Sequence, residues 1–173
     1  LDLSDQRFTG IIDSRIGNLI NLQALYLRNN NLSGDLPAEI ASLTNLDTFD
    51  VGRNFFTSVP DLSSFPNLQF LSLSNNYFQM EDLQPYTQLV LSFFGYAPQR
   101  RIGVNEDLTP TAGASLTIST AITDFAGTNY QWLFNRDTLS SATALDLTIS
   151  DFRTFNAGAY VLQAAHPDLP DLV

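Results

Sequence analysis

One order of apolar residues returns about every 24 positions from Leu1 to Phe78, and it constrains the fold more than any other feature,. Its clearest copy, residues 22–46, consists of Leu22, Leu25, Leu27, Asn30, Leu32, Gly34, Leu36, Pro37, Ile40 and Leu43. The same order recurs before it, from Leu1, and twice after it, from Leu46 and Leu68, and every aligned apolar position stays apolar. A single unit of this kind cannot bury its own apolar edge, so the repeat predicts coils that stack on one another.

An asparagine recurs at the turn that follows each predicted strand. Asn30, Asn54 and Asn76 occupy this place, where an amide can hydrogen-bond main-chain groups of neighbouring coils. Gln6 stands there in the first copy, so we expect that turn to differ. The third copy is two residues shorter, with SVPDLSSFP in place of LSGDLPAEI, which predicts a differently shaped convex side.

These residues resemble the leucine-rich repeat family, in the subtype whose units read LxxLxLxxNxLSGxLPxxIxxL. The resemblance covers residues 1–98. It implies a right-handed solenoid with one short parallel strand per repeat on its concave side.

The repeat loosens after residue 78, and the apolar run 89–94 is interpreted as a degenerate closing coil. Its Val90 and Phe93 can be aligned with Leu68 and Leu71 of the coil before, although a start one residue earlier fits nearly as well. The sequence YAPQ at 96–99 then ends the coil, because proline fixes φ and lacks an N–H donor.

Residues 99–173 are interpreted as strands separated by turns. Apolar residues alternate with polar ones over 115–122, 129–135, 145–149 and 158–165. Strands spaced about 10 to 15 residues apart, with no helical pattern between them, predict a β-sandwich.

This second segment resembles an immunoglobulin-like domain whose cysteines are replaced. Trp132 matches the core tryptophan of that family, and the turn before Tyr160 matches its tyrosine corner. Thr120 and Leu162 occupy the two half-cystine positions, so the resemblance implies that apolar packing alone holds the tryptophan. We expect the last strand to begin in the terminal DLPDLV and to be cut short. The predicted fold is mainly β, with a leucine-rich-repeat solenoid over 1–98 and an immunoglobulin-like β-sandwich over 99–173.

Charge and cysteine content exclude several classes of partner. With 18 acidic and 8 basic residues, the formal net charge is −10, so nucleic acid and anionic membrane surfaces are poor partners. No apolar run of about 20 residues could insert into a membrane. The chain has no cysteine, which excludes disulfides and thiolate metal sites. No polar cap precedes Leu1, so we expect a fragment of a longer protein.

The sequence offers no catalytic constellation. The single histidine, His166, lies just after a predicted strand, where we expect an exposed loop residue, and no GxSxG elbow occurs. Asn105-Glu106-Asp107 is the best calcium candidate, but a solvated acidic loop is preferred because the alternating acidic run of a calcium loop is missing. We therefore expect no enzyme activity, no cofactor and no metal.

Asn31-Leu32-Ser33 is formally a glycosylation sequon,. It lies on the repeat's own turn pattern, and we expect that structural use to account for it.

Strand positions between the repeat leucines should face the concave side and offer a binding surface. The predicted face consists of Asp2, Ser4, Tyr26, Arg28, Asp50, Ser72 and Ser74, with Gly52 beside them. Mixed charge and one tyrosine suit a protein or a glycan as the ligand.

The leading functional interpretation is a structural or adhesive module of a large secreted bacterial surface or fibre-forming protein. Such a module would contact other proteins, or form homo-oligomers, through edge strands. One alternative is a receptor-like recognition ectodomain, against which stand the few repeats and the absence of cysteine-bearing caps. Another is a non-catalytic accessory module of an exported hydrolase. All three place the chain outside the cell.

Overall fold

The computed structural model describes residues 1–100, 107–120 and 122–172. The chain divides into two compact units whose main spans are Leu1–Arg101 and Ile102–Asp171, here called the first and second units. Both are built mainly from short strands.

The first unit contains two parallel sheets. Its strands are β1 (Thr9–Gly10), β2 (Ala24–Tyr26), β3 (Asn31–Asp35), β4 (Thr48–Asp50), β5 (Phe55–Ser58), β6 (Phe70–Ser72) and β7 (Phe93–Gly95). The four-stranded sheet has the order β2-β4-β6-β7, and the flanking sheet has the order β1-β3-β5. Short 3-10 helices at Ser14–Asn18, Ala38–Ser42 and Gln84–Tyr86, and the helix α1 at Met80–Leu83, complete the coils.

Successive coils stack through main-chain hydrogen bonds and a shared apolar interior, as the repeat predicts. The N–H of Leu27 donates to Asp50 at 2.8 Å, and the equivalent bond in the next coil runs from Val51 to Ser72 at 2.9 Å. The repeat's apolar side chains lie inside with almost no exposure; among them are Leu25, Leu27, Ile40, Leu43, Leu46, Phe49, Val51, Phe56, Leu71, Leu73 and Phe78. Each coil therefore completes the core of its neighbour.

The recurring asparagines form the expected ladder. The amide of Asn54 is fully buried and donates to the carbonyls of Leu27 and Val51 at 2.9 and 3.1 Å. Its side-chain oxygen accepts from the N–H of Leu32 at 3.1 Å. Asn30 and Asn76 repeat this arrangement, and Asn30 also accepts from the N–H of Gln6 at 3.1 Å. One side chain thus satisfies three main-chain groups that water cannot reach.

The closing coil is present, but the predicted alignment is wrong by one residue. Phe94, and not Phe93, pairs with Leu71 in the sheet. Val90 is 94% exposed and Phe93 is 46% exposed. The ring of Phe94 lies 5.9 Å from that of Tyr86 and 5.1 Å from that of Tyr96. These aromatic contacts stabilise the observed register, and the spacing of apolar residues in the sequence does not predict them.

The third coil differs on its convex side, as its shorter sequence predicts. Where the first two coils have 3-10 helices, the third coil has only two turns, at residues 63–64 and 66–67. Leu62 and Phe65 still point inward and are buried. The strands on either side remain in register, so the shortening is absorbed outside the four-stranded sheet.

The second unit consists of antiparallel strands. They are β8 (Leu116–Ile118), β9 (Asn129–Phe134), β10 (Asp137–Thr138), β11 (Leu147–Ile149) and β12 (Tyr160–Ala165), with a 3-10 helix at Thr154–Asn156. One sheet has the order β10-β9-β12 and the other pairs β11 with β8. Trp132 on β9 is 3% exposed and lies opposite Leu162 of β12.

Two expectations for this unit need correction. β8 ends at Ile118, so Thr120 lies beyond the strand; within the described residues its hydroxyl is buried without a hydrogen-bond partner. The segment 167–171 forms turns, with an isolated bridge between His166 and Leu169, and not the start of a strand. Pro167 and Pro170 explain this, because neither has an N–H to contribute to a ladder.

Candidate functional site

The four-stranded sheet presents its outward side chains in columns, because its strands are parallel and in register. The central column runs Asp2, Tyr26, Asp50, Ser72 and Gly95. On one side of it lie Ala24, Thr48, Phe70 and Phe93. The positions two residues after the central column are Ser4, Arg28, Gly52 and Ser74. This outward side is called the sheet face below.

Two of the residues predicted for this face are not accessible. Asp50 is 6% exposed and Ser72 is 2% exposed. One carboxylate oxygen of Asp50 accepts from the N–H of Gly52 at 2.9 Å, and the other lies 3.8 Å from the guanidinium of Arg28. The carboxylate of Asp50 thus fixes the turn at Gly52 and faces Arg28, and the low exposure of Asp50 and Ser72 makes both unsuited to direct contact with a ligand.

The remaining predicted residues reach solvent. Asp2 is exposed, and Ser4, Tyr26, Arg28 and Ser74 are half-buried. The N–H of Ser4 donates to the carboxylate of Asp2 at 2.9 Å, and this hydrogen bond lowers the pKa of Asp2. At neutral pH the carboxyl of Asp2 is therefore ionised.

An aromatic pair on the sheet face escaped sequence reasoning. The rings of Phe70 and Phe93 stack with centroids 4.5 Å apart and planes 14° apart. A Cβ at Gly95 would lie only 2.7 Å from the Phe93 ring, so the glycine provides the space that the ring occupies. The sequence indicates this column at the position before each core residue of the strands, where Ala24, Thr48 and Phe70 stand. The predicted alignment places Phe93 in the interior instead, so it does not lead to the aromatic pair.

His166 is buried, so its interpretation as an exposed loop residue is wrong. Its Nδ1 accepts from the N–H of Asp168 at 3.2 Å, and Nε2 lies 3.2 Å from the carbonyl of Ala126. A neutral ring with the proton on Nε2 satisfies both contacts. The ring therefore ties the loop after β12 to the turn before β9.

Metal binding finds no support in the described part of the chain. Asn105 and Glu106 of the calcium candidate lie outside the described residues, and Asp107 is exposed. No cluster of three or more acidic or histidine residues suited to a metal occurs among the residues described. Asp82 instead accepts from the N–H of Gln79 at 2.9 Å and caps α1. Among the residues that the structure describes, no helix is long and apolar enough to cross a bilayer.

Three curated proteins illustrate the similarity to known sequences. The chain is 32% identical over 157 residues to Receptor-like protein EIX1 of Solanum lycopersicum, which is 85% of this chain and 15% of that protein. It is 43% identical over 65 residues to an adenylate cyclase of Schizosaccharomyces pombe, 38% of this chain and 4% of that one. It is 29% identical over 99 residues to Receptor-like kinase TMK2 of Arabidopsis thaliana, 56% of this chain and 11% of that one. The chain thus spans only a small part of each relative.

A solved structure, the BIR3–SERK2 complex from Arabidopsis thaliana, matches with a TM-score of 0.44 and 34% identity, over 46% of this chain and 44% of that chain. A family model described as leucine-rich repeats in two copies matches residues 20–64, and a model described as a leucine-rich repeat matches residues 67–89. Residues 20–64 and 67–89 of the first unit are therefore leucine-rich repeats.

Proposed function

We propose that this chain is a non-catalytic recognition segment of an extracellular, receptor-like leucine-rich repeat protein, and that it binds a protein partner through the sheet face. The observation that carries the proposal is the similarity to Receptor-like protein EIX1 over 85% of this chain. The receptor-like kinase relative supports the same class, whereas the cyclase match covers 38% of this chain.

The geometry of the sheet face supports a role in protein contact. Tyr26 and Arg28 are of the residue types that dominate binding energy at protein interfaces, and phenylalanine, as in Phe70 and Phe93, is enriched at interface cores. Tyr26, Phe70 and Phe93 stand on strands fixed by main-chain hydrogen bonds. Arg28 follows β2 by two residues, and its guanidinium lies 3.8 Å from the carboxylate of Asp50. A face held in one arrangement before binding loses little conformational entropy when a partner docks.

The comparisons do not support the leading sequence-based interpretation, a bacterial adhesin. The relatives reported above come from plants and a yeast, and two of them are named as receptor-like. The receptor-like alternative is therefore preferred. Fibre formation, homo-oligomerisation and glycan binding have no support from these relatives, and self-association becomes an outcome to be tested.

We also infer that the second unit is an immunoglobulin-like sandwich and forms a domain separate from the repeats, as expected for residues 99–173. In support, β8 pairs with β11 and β9 pairs with β12, all antiparallel. The indole N–H of buried Trp132 donates to Ala144 at 2.9 Å. The hydroxyl of Tyr160 donates to the carbonyl of Asn156 at 2.7 Å, the contact that defines a tyrosine corner,.

A display library of extracellular protein domains and peptides tests the proposed function, because binders can be selected before the natural partner is identified. They are selected on the 173-residue chain and then measured on three variants: Tyr26→Ala, Phe93→Ala and, as the matched control on the flanking sheet, Thr57→Ala. We expect the sheet-face variants to weaken the selected binders about tenfold or more, which corresponds to about 1.4 kcal/mol.

Binders unaffected by both sheet-face variants, or equally weakened by the control, would contradict the choice of surface. Concentration-dependent self-association that is lost in Phe93→Ala would replace the receptor-like proposal with the self-contact alternative. Sedimentation of the chain over a range of concentrations distinguishes these results.

A further inference from the structure

The asparagine that the repeat requires is Asn30, and not Asn31 beside it. Asn30 is 6% exposed and donates to the carbonyls of Leu3 and Leu27 at 2.8 and 2.9 Å. Asn31 is exposed. Within the described part of the chain, its side chain has no hydrogen-bond partner. Structural use therefore explains Asn30 and leaves Asn31 without a function in the fold.

The equivalent position in the next two coils shows that no amide is needed there. It is occupied by Phe55 and Tyr77, whose rings lie 6.2 Å apart. The guanidinium of Arg100 sits 4.2 Å from the centre of the Phe55 ring. An aromatic contact stabilises these two coils at the place where the second coil has an exposed amide.

The local backbone places the asparagine and serine side chains of the Asn-X-Ser sequence on the same side of the strand. Asn31, Leu32 and Ser33 belong to β3, in which neighbouring side chains point to opposite sides,. Leu32 is 5% exposed and points into the core. The amide of Asn31 and the hydroxyl of Ser33 therefore share the outward side of the flanking sheet. This is the only Asn-X-Ser/Thr sequence in the 173 residues.

We propose that Asn31 carries an N-linked glycan. In the reaction, the side-chain nitrogen of Asn31 attacks the anomeric carbon of an oligosaccharide carried on a polyprenyl diphosphate. The new bond joins that nitrogen to the carbon, the bond from the carbon to the phosphate oxygen breaks, and the polyprenyl diphosphate leaves. The nitrogen gives up one proton to the surrounding base. The proposal rests on the extracellular location proposed above, since the donor is met on the secretory route.

The position of Asn31 separates the glycan from the proposed binding surface. Asn31 lies on the flanking sheet, where it pairs with Thr9, while Tyr26 and Phe93 lie on the four-stranded sheet. The N–H of Asn31 donates to the carbonyl of Phe8 at 2.7 Å. Phe8 and Ile11 are 46% and 74% exposed, so a glycan there would stand beside apolar side chains that face water. It would shield this side and leave the sheet face open.

The test is cell-free translation of the 173-residue chain, preceded by a cleavable signal peptide, in the presence of microsomes. We expect one upward shift in apparent mass, which is removed by an N-glycosidase that converts the modified Asn31 to aspartate, as read by peptide mass spectrometry. Ser33→Thr should keep the shift, and Ser33→Ala and Asn31→Gln should abolish it.

A double variant, Ser33→Ala with Gln69→Thr, is the matched control. It moves the only sequon to exposed Asn67 and reports whether the chain enters the microsomes and can be modified. A shift in this control without a shift in the wild-type chain would overturn the proposal. Because the assay involves no binding partner, its failure is distinguishable from failure of the proposed recognition function, which the display experiment measures.

Discussion

The side-chain amide of Gln99 donates a hydrogen bond to the carbonyl of Leu73, 3.0 Å away in the preceding coil. It also donates to Tyr96, and its oxygen accepts from the N–H of Asn76 at 3.1 Å. Glutamine in the last coil thus takes the place that asparagine has in the coils before it.

Gln99→Ala should lower the free energy of unfolding by about 1–3 kcal/mol, because it leaves main-chain groups of two coils unpaired. Urea unfolding followed by far-UV circular dichroism measures this change. Gln88→Ala, which removes an exposed side chain with one long contact to Thr87 at 3.4 Å, is the control and should cost less than about 0.5 kcal/mol,. Equal effects would show that the ladder ends before the last coil.

Asn54→Ala should be more damaging than Gln99→Ala, because Asn54 is fully buried whereas Gln99 is half-buried. We expect a loss of more than about 2 kcal/mol. Hydrogen exchange at the amide of Leu32, which loses its acceptor, should accelerate together with the fall in stability. Exposed Asn67→Ala is the control, and a similar loss of stability there would rule out the explanation.

The corrected register of the closing coil predicts opposite results for two adjacent phenylalanines. Phe94→Ala removes a ring packed against Tyr86 and should cost about 3 kcal/mol of unfolding free energy,. Phe93→Ala removes a ring that is 46% exposed and should cost about 1 kcal/mol, mainly through its stack on Phe70,. A larger loss for Phe93→Ala would restore the alignment based on sequence spacing.

Tyr160→Phe tests the tyrosine corner of the second unit. The substitution removes only the hydroxyl that donates to Asn156, and should lower the free energy of unfolding of this unit by about 1 kcal/mol,. Fluorescence of Trp132, the single tryptophan of the chain, follows this unit specifically. Phe155→Ala changes a side chain that is 76% exposed and should have little effect. If the two variants unfolded alike, the corner would not be a stabilising contact.

Asp82 predicts a pH dependence of stability in the first unit. Burial raises the pKa of its carboxyl, despite the hydrogen bond from Gln79. The folded protein then binds this proton more tightly than the unfolded chain, so the ionised carboxylate costs stability above the raised pKa. That cost disappears as the pH falls through the raised value and below the ordinary one, about pH 4.

Asp82→Asn keeps a hydrogen-bond acceptor for Gln79 and removes the charge. The variant should therefore be more stable than the wild-type chain at neutral pH, with a difference that shrinks toward about pH 3 to 4. Denaturant midpoints of the variant and the wild-type chain, measured from about pH 3 to neutral pH, test this expectation. Glu39→Gln, at an exposed position, is the control. A difference that stays constant with pH would mean that the side chain is not desolvated.

The interior of the first unit was largely predictable because its signals are local and repeated. Leucine spacing placed the core, and Asn30, Asn54 and Asn76 predicted the ladder. Gln99 was missed because its longer side chain reaches the same carbonyls from a coil whose length departs from the repeat period. No repeat spacing could reveal that substitution.

The sheet face was predictable as a set of columns but not as a set of accessible atoms. Alternation along a strand predicts on which side a residue stands, but it does not predict that Asp50 and Ser72 are buried. Their burial depends on side chains in neighbouring columns, such as Arg28 above Asp50. The buried position of His166 involves a contact with Ala126, 40 residues away in the chain, and a local sequence pattern does not predict such a contact.

The shortened third coil shows where this architecture tolerates changes of length. Although the convex side of this coil is two residues shorter, Thr48 still pairs with Phe70, and Phe70 with Phe93, in the register of the sheet. A peptide epitope or a fluorophore acceptor inserted between Pro66 and Asn67, which are both exposed, should therefore be tolerated. A reporter at that site could follow the molecule through cells and record docking events while its recognition surface stays intact.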